Sequence, residues 1–236
     1  MISKGELIYE GKAKQLFKTN DENVLWVEYL NQATALNGLK KDAIQGKGEL
    51  NNQITSSIFE ALAEQGIQSH FIEKISKTEQ LIQKMTMFPL EVVLRNYVAG
   101  SFSKRFGIEE GIQLKQPIIE FYYKADELDD PFINDAHILN FEIATEAEIA
   151  EIKAATLEIN QALIEIFKKT SIKLIDFKLE FGRNADGAIV LADEISPDTC
   201  RLWDLETNEH LDKDLYRRDL GDIIPVYQEV LNRLTK

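Results

Sequence analysis

The 236-residue chain contains a single cysteine, Cys200, so no internal disulfide can staple it and the fold must rest on its core. A lone thiol also suits a reducing compartment. Histidine is scarce too: His70, His137 and His210 lie far apart, show no metal or triad spacing, and receive no role. No apolar run approaches the ~20 residues that cross a bilayer. The segment Met1 to Glu10 carries charges and has no apolar stretch of the kind that heads a secreted chain. Repeats, low-complexity tracts and flexible linkers are missing as well. These absences point to a soluble, cytoplasmic protein. Positive charge is the minority sign, with 27 Lys and Arg against 40 Asp and Glu and a net charge of −13. Such a field repels nucleic acid and anionic membranes, so neither is an expected partner. It also repels phosphorylated substrates, so any site that handles phosphate must be locally basic. Lysines and arginines that cluster against the trend are therefore informative.

What is present reads as a globular α+β protein, either one large domain or two small lobes with a shared core. Leu7-Ile8-Tyr9 and Gln15-Leu16-Phe17 flank a Gly11 turn as in a hairpin, and Val24 to Tyr29 is a further strand. Leu50, Ile54, Ile58 and Leu62 recur at spacings of four, which predicts a helix over 49–64 stopped at Gly66. Strands are expected over 70–75, 80–85 and 90–95, with a lobe boundary near Pro89, giving spans 1–88 and 89–236. Thr145 with Glu148 forms a capping-box pattern. It opens a helix to Lys169 whose buried stripe is Ile149, Ile152, Ile159, Leu163 and Ile166. Strands over 174–181 and 189–194 flank an Asp186-Gly187 turn. A C-terminal helix is expected from Asp222, with Pro225 either in its first turn or kinking it.

The run from Leu174 to Gly182 (LIDFKLEFG) is the most informative. Side chains alternate across a strand, so Ile175, Phe177, Leu179 and Phe181 are expected on one face, with Asp176, Lys178 and Glu180 on the other. A solvated charged face is the common meaning of such alternation. The hairpin shifts the balance. A two-residue Asp186-Gly187 loop sets Glu180 directly opposite Asp193. Carboxylates facing each other at about 5 Å repel by roughly 3 kcal/mol at an effective dielectric of 20, an arrangement best kept with a cation between them. Oxygen-only ligands of this kind suit magnesium.

Three further constellations are weaker alone. Gly11-Lys12-Ala13-Lys14 is a glycine turn with two lysines, able to approach a phosphate but equally an ordinary soluble hairpin tip. Gly46-Lys47-Gly48 precedes a helix, where the dipole favours anions. The run from Pro89 to Ser101 (PLEVVLRNYVAGS) delivers Arg95 on a strand and opens a helix at an Ala-Gly-Ser turn. Arg95 and Ser101 read either as an anion site or as a surface arginine and an N-cap serine. Arg201 follows the Asp193 strand. Asp212-Lys213-Asp214 and Arg217-Arg218-Asp219 form a mixed charge cluster of a kind usually solvated.

These residues carry a resemblance. The runs 89–101 and 174–182, with Gly11 to Lys14, Asp193 to Asp198 (DEISPD) and Arg201 to Asp204 (RLWD), resemble the SAICAR synthetase family of purine biosynthesis over essentially the whole chain. The resemblance implies an ATP- and magnesium-dependent ligase. It joins 5-amino-1-(5-phosphoribosyl)imidazole-4-carboxylate (CAIR) to L-aspartate, giving SAICAR, ADP and phosphate, through an acyl phosphate. It implies a two-lobed fold like ATP-grasp and protein-kinase architectures, with a β-rich lobe over the nucleotide and a larger α+β lobe for the other substrate and the metal. By motif, Gly11, Lys12, Ala13, Lys14 and Met87 meet ATP, and Glu180 and Asp193 hold magnesium. Arg95, Ser101 and Arg201 bind CAIR, while Asp176 and Lys178 line the transfer region. Lys124 and Asp130 lie on a loop near the site, and Lys213, Asp214 and Arg217 are candidates for the aspartate carboxylates. Monomer and homodimer are both left open. A kinase-like phosphotransferase with a hydroxyl acceptor and a silent nucleotide-binding module are the competing classes. The module reading struggles with Lys178 between two carboxylates.

Overall fold

The computed structural model describes residues 1–35 and 40–236. In chain order the elements are β1 (Lys4–Glu10), β2 (Lys14–Thr19), β3 (Val24–Tyr29), β4 (Gln32–Ala35), β5 (Lys40–Ala43), α1 (Lys47–Glu64), β6 (Phe71–Lys74), β7 (Glu79–Gln83), β8 (Thr86–Met87), β9 (Leu90–Tyr97), α2 (Gly100–Phe106) and β10 (Gln113–Tyr123). They continue with β11 (Phe132–Ile133), α3 (Asp135–Asn140), α4 (Glu146–Lys169), β12 (Ile172–Arg183), β13 (Ile189–Ala192), β14 (Cys200–Asp204), α5 (Asp214–Arg217) and α6 (Ile223–Leu234). Helices and antiparallel sheets are mixed along the chain, as the patterning predicts.

A five-stranded sheet runs β1-β2-β3-β7-β6. A seven-stranded sheet runs β11-β10-β9-β12-β13, with β8 and β14 also paired to β12. A parallel bridge from Ser69 to Leu191 links the chain just before β6 to β13. The His70 amide donates to the Leu191 carbonyl at 2.8 Å, and the His70 carbonyl accepts from the Gln83 amide at 2.6 Å.

Strand β12 organises everything that follows. One of its edges is held by β9 and β8. The other is held by β14 as far as the Phe177–Cys200 pair, and by β13 from the Glu180–Ala192 pair onward. Between those pairs the partner strand is interrupted, and residues 193–199 leave the sheet there. An edge that changes partner opens a gap in the ladder, and the Lys178 amide closes part of it by donating to the Thr199 carbonyl at 2.8 Å.

The main core joins α1, α4 and α6 to the face of β12 that carries Leu174, Phe177, Leu179 and Phe181. The expected stripes of α1 and α4 are buried in it. Ile175 departs from the expected row. A register irregularity between Leu174 and Asp176 turns it into a separate cluster with Ala99 and Trp203, because an inserted residue reverses the alternation. Helix α4 begins at the full Thr145–Glu148 capping box, and α6 is capped by Asp222, with Pro225 in its first turn. No helix among the described residues is long and apolar enough to cross a membrane.

Candidate active site

A cavity of about 1020 Å³ is lined from both large sheets. Its wall is apolar where β2, β3, β7 and β8 supply Leu16, Val27, Ile82 and Met87. It is charged where β9, β12, the loop after β10 and the segment from Asp193 onward reach it. The cavity brings together Gly11, Lys12, Ala13, Lys14, Met87, Arg95, Ser101, Lys124, Asp130, Asp176, Lys178, Glu180, Asp193, Arg201, Lys213 and Arg217.

The Glu180–Asp193 relationship differs from the expected one. Glu180 pairs with Ala192, one position away from the predicted register. The cause is the turn. Asn184 and Ala188 close a three-residue loop, the Asn184 side chain accepts from the amides of Asp186 and Ala188, and Gly187 takes the left-handed conformation at φ 81°. A one-residue slip would turn a strand residue to the opposite face. Asp193 lies just past the end of β13, however, with φ 65°. Its carboxylate meets the Glu180 group through Lys178, whose ammonium donates to Glu180 Oε1 at 2.7 Å and to Asp193 Oδ2 at 2.6 Å. Lys124 donates to Glu180 Oε2 at 2.6 Å, and Lys14 donates to Asp193 Oδ1. Burial opposes the charge on Lys178, but Asp193 and Glu180 outweigh it and hold the ammonium well above its usual value. Burial likewise opposes the Asp193 carboxylate, and Lys14 and Lys178 hold it well below the usual range.

Arginines dominate another part of the cavity. Arg95 is 2% exposed, which removes the surface reading. It donates to Glu120 at 2.8 Å, to Asp176 at 2.8 Å and to the Ser101 hydroxyl at 3.1 Å. Ser101 is not the N-cap of α2. Ala99 is, in extended conformation, and the amide of Gly100, the first residue of the helix, donates to the Glu110 carboxylate at 2.9 Å. Arg201 donates to Asp176 at 2.9 Å and to Asp214 at 2.9 Å, and Arg217 donates to Asp214 at 2.7 Å. Asp176 is thus a buried anchor that fixes two arginine forks, a role the strand pattern does not reveal. Gly100, at φ 55°, lies so close to the Arg201 guanidinium that a Cβ there would collide with it.

The 212–214 segment is buried rather than solvated. Asp212 accepts from the amides of Leu202 and Asp214, and burial beside Asp214 pushes its carboxyl up to about 7. His210, Asp212 and Asp214 converge within 4.8 Å, but protein donors already hold both carboxylates. Lys213 is pushed down by burial, against the pull of Asp198 at 3.5 Å. The Gly46-Lys47-Gly48 anion reading fails. Lys47 is fully buried inside α1, and its ammonium donates to Asp198 at 2.5 Å. Lys12 pairs with Asp126 at 2.6 Å, and Asp130 accepts from the Ala125 amide at 2.9 Å.

Several lining residues escape sequence reasoning. Glu194 and Asp198 belong to the DEISPD run but had no separate signal. Glu91 lies 3.9 Å from Lys178. His70, 4% exposed, gives the cavity a neutral imidazole, because burial and the charge of Lys14 lower its pKa to about 3.

The family model described as SAICAR synthetase matches residues 7–234. The chain belongs to the SAICAR synthetase family. A relative named phosphoribosylaminoimidazole-succinocarboxamide synthase, from Enterococcus faecalis, is 65% identical over 233 residues, covering 99% of this chain and 98% of its own. A SAICAR synthetase crystal structure from Ehrlichia chaffeensis, titled as that synthase, superposes with a TM-score of 0.95 at 49% identity, covering 98% of each chain. A structure titled SAICAR synthetase (Type-2) in complex with ADP superposes with a TM-score of 0.94 at 47% identity, covering 98% of this chain and 97% of that one.

Proposed function

We propose that this chain condenses CAIR with L-aspartate at the expense of ATP, giving SAICAR, ADP and phosphate, as a cytoplasmic step of purine biosynthesis. The observation that carries this reading is the spacing along β12. Asp176 fixes two arginine forks, and two and four residues later Lys178 and Glu180 join Asp193 in the same cavity. Two strand residues span about 7 Å, so an anion clamp and a phosphoryl-handling cluster lie within the reach of one small substrate.

In this reading Arg95, Ser101 and Arg201 hold CAIR by its phosphate or its carboxylate. Gly11, Lys12, Ala13, Lys14 and Met87 hold ATP, in keeping with the ADP complex of the similar structure. Glu180 and Asp193 fit magnesium, since they offer only carboxylate oxygens and already share one cation, Lys178. When bound there, the metal supplies charge neutralisation at the phosphates. Lys178 stabilises the moving phosphoryl group while a CAIR carboxylate oxygen attacks the γ-phosphorus and the bond to ADP breaks. The aspartate amine then attacks the acyl carbon, phosphate leaves with the carboxylate oxygen, and the nitrogen gives up its proton. Lys213 and Arg217 receive the aspartate carboxylates, and Lys124 and Asp130 sit on the covering loop.

The two-lobed architecture belongs to the same proposal. Residues 1–88 cover the nucleotide with the five-stranded sheet, while α1 from that span packs in the core of residues 89–236. Every residue invoked comes from one chain, so the chemistry needs no second copy, and a homodimer is compatible with it. An assay omitting ATP, magnesium, CAIR and aspartate in turn tests the reading. Each omission should stop SAICAR formation. ADP released at full rate without aspartate would favour a phosphotransferase instead.

A further inference from the structure

We propose that Lys14, Lys124 and Lys178 guard the Glu180–Asp193 pair, so that a divalent cation gains it only together with a nucleotide polyphosphate. The inference rests on the metal reading above and adds a dependence that reading does not contain. All four carboxylate oxygens of the pair face an ammonium: Glu180 Oε1 and Asp193 Oδ2 accept from Lys178, Glu180 Oε2 from Lys124, and Asp193 Oδ1 from Lys14. The lysines come from β2, from the residue after β10 and from β12, so no single local shift uncovers the pair.

A divalent cation arriving alone must detach at least one ammonium. Glu180 is 4% exposed and the side chains of Lys14 and Lys178 are 20% exposed, so either of those ammoniums, once detached, has little water to turn to; Lys124, 41% exposed, is the cap most easily displaced, but a cation that displaces it alone still meets Lys14 and Lys178. Unpairing a buried charge is strongly unfavourable. A di- or triphosphate changes the balance, because its oxygens offer the ammoniums new partners and offer the metal further ligands. Metal and nucleotide then strengthen each other's binding by the same factor, as linkage requires.

Manganese(II) is the probe, because it accepts oxygen ligands and its free form is counted by electron paramagnetic resonance. The wild-type protein should show no site for Mn²⁺ alone at concentrations that saturate it in the presence of ADP. Lys124→Gln removes a half-exposed cap and should tighten the binding of Mn²⁺ alone by about 5-fold or more, the lower range of measured couplings. Adding Glu180→Gln should abolish that gain. Wild-type protein that binds Mn²⁺ alone as tightly as Lys124→Gln overturns the proposal. In that case a changed Mn²⁺·ADP spectrum in Glu180→Gln and Asp193→Asn leaves the metal reading standing. A Mn²⁺·ADP complex indifferent to both substitutions overturns the metal reading and the proposal together.

Discussion

Lys178 reaches Asp193 at 2.6 Å although the hairpin register leaves Asp193 beyond the last paired residue of its strand. Two features cancel. The three-residue loop shifts β13 by one position against β12, and the left-handed conformation of Asp193 turns its carboxylate back toward Lys178. Asp and Asn tolerate that backbone region better than other side chains bearing a Cβ. The charge at this position and its backbone are therefore separable.

Asp193→Asn should keep the fold, at a lowered thermal midpoint because Lys14 and Lys178 lose a shared counter-ion, and should lower magnesium-dependent turnover by about 10²-fold or more, the scale of losing one electrostatic stabiliser. Asp193→Val should lower the midpoint further, because a β-branched residue is strained at φ 65°. Thermal melts with steady-state assays check both. Near-normal turnover in Asp193→Asn would remove the residue from the chemistry.

Much of this arrangement is legible in the sequence, and the failures have identifiable causes. Strong periodicity located α1, α4 and β12, because burying one face leaves a clear mark on residue choice. The register of the β12–β13 hairpin differs from the expected one because Asp-Gly also fits a three-residue loop, and the Asn184 side chain decides between them. The bulge at Ile175 leaves no signature, since an isoleucine packs equally well among apolar side chains on either face. Arg95 and Ser101 were weak in isolation. What distinguishes Arg95 from a surface residue is its partners, Glu120 and Asp176, which come from distant strands, whereas Ser101 is exposed and its hydroxyl accepts from Arg95. Lys47 misled for the converse reason: its partner Asp198 lies 151 positions away and neutralises it inside the core.

Arg201→Lys keeps the charge but cannot grip Asp176 and Asp214 at once with a planar fork. It should raise the KM for CAIR by about tenfold, the equivalent of one charge-assisted hydrogen bond, and leave the KM for ATP unchanged. Gly100→Ala should imitate it, because the added Cβ displaces the same guanidinium. Calorimetric titration with CAIR checks both, and wild-type affinity in both variants would give Arg201 another role.

Lys12 and Lys14 should differ. The partner of Lys12 is the exposed Asp126, and such a pair contributes at most about 1 kcal/mol, so Lys12→Ala should alter ATP dependence with little effect on stability. Lys14→Ala should raise the KM for ATP and also destabilise the protein, since it leaves Asp193 and the buried Glu194 short of a counter-ion. An unchanged ATP dependence in Lys14→Ala would return the hairpin to the role of a solvated turn.

His70 gives a pH signature. Its folded pKa is lowered to about 3 by burial and by Lys14, below the usual 6.5. Between those values the unfolded chain binds a proton that the native imidazole refuses, so stability falls as pH drops through 6.5, by up to about 1.4 kcal/mol per unit. His70→Phe keeps a ring against Phe59 and should flatten the pH dependence of denaturant midpoints between pH 6.5 and 4.5. An unaltered slope would contradict a neutral, buried His70.

The central claim is that the Glu180–Lys178–Asp193 cluster serves phosphoryl transfer to a carboxylate before the amine attacks. With ¹⁸O in the CAIR carboxylate, one labelled oxygen should appear in the released phosphate for each SAICAR formed, as mass spectrometry of the phosphate would record. SAICAR formed alongside wholly unlabelled phosphate would contradict the activation step, and the role of the cluster with it.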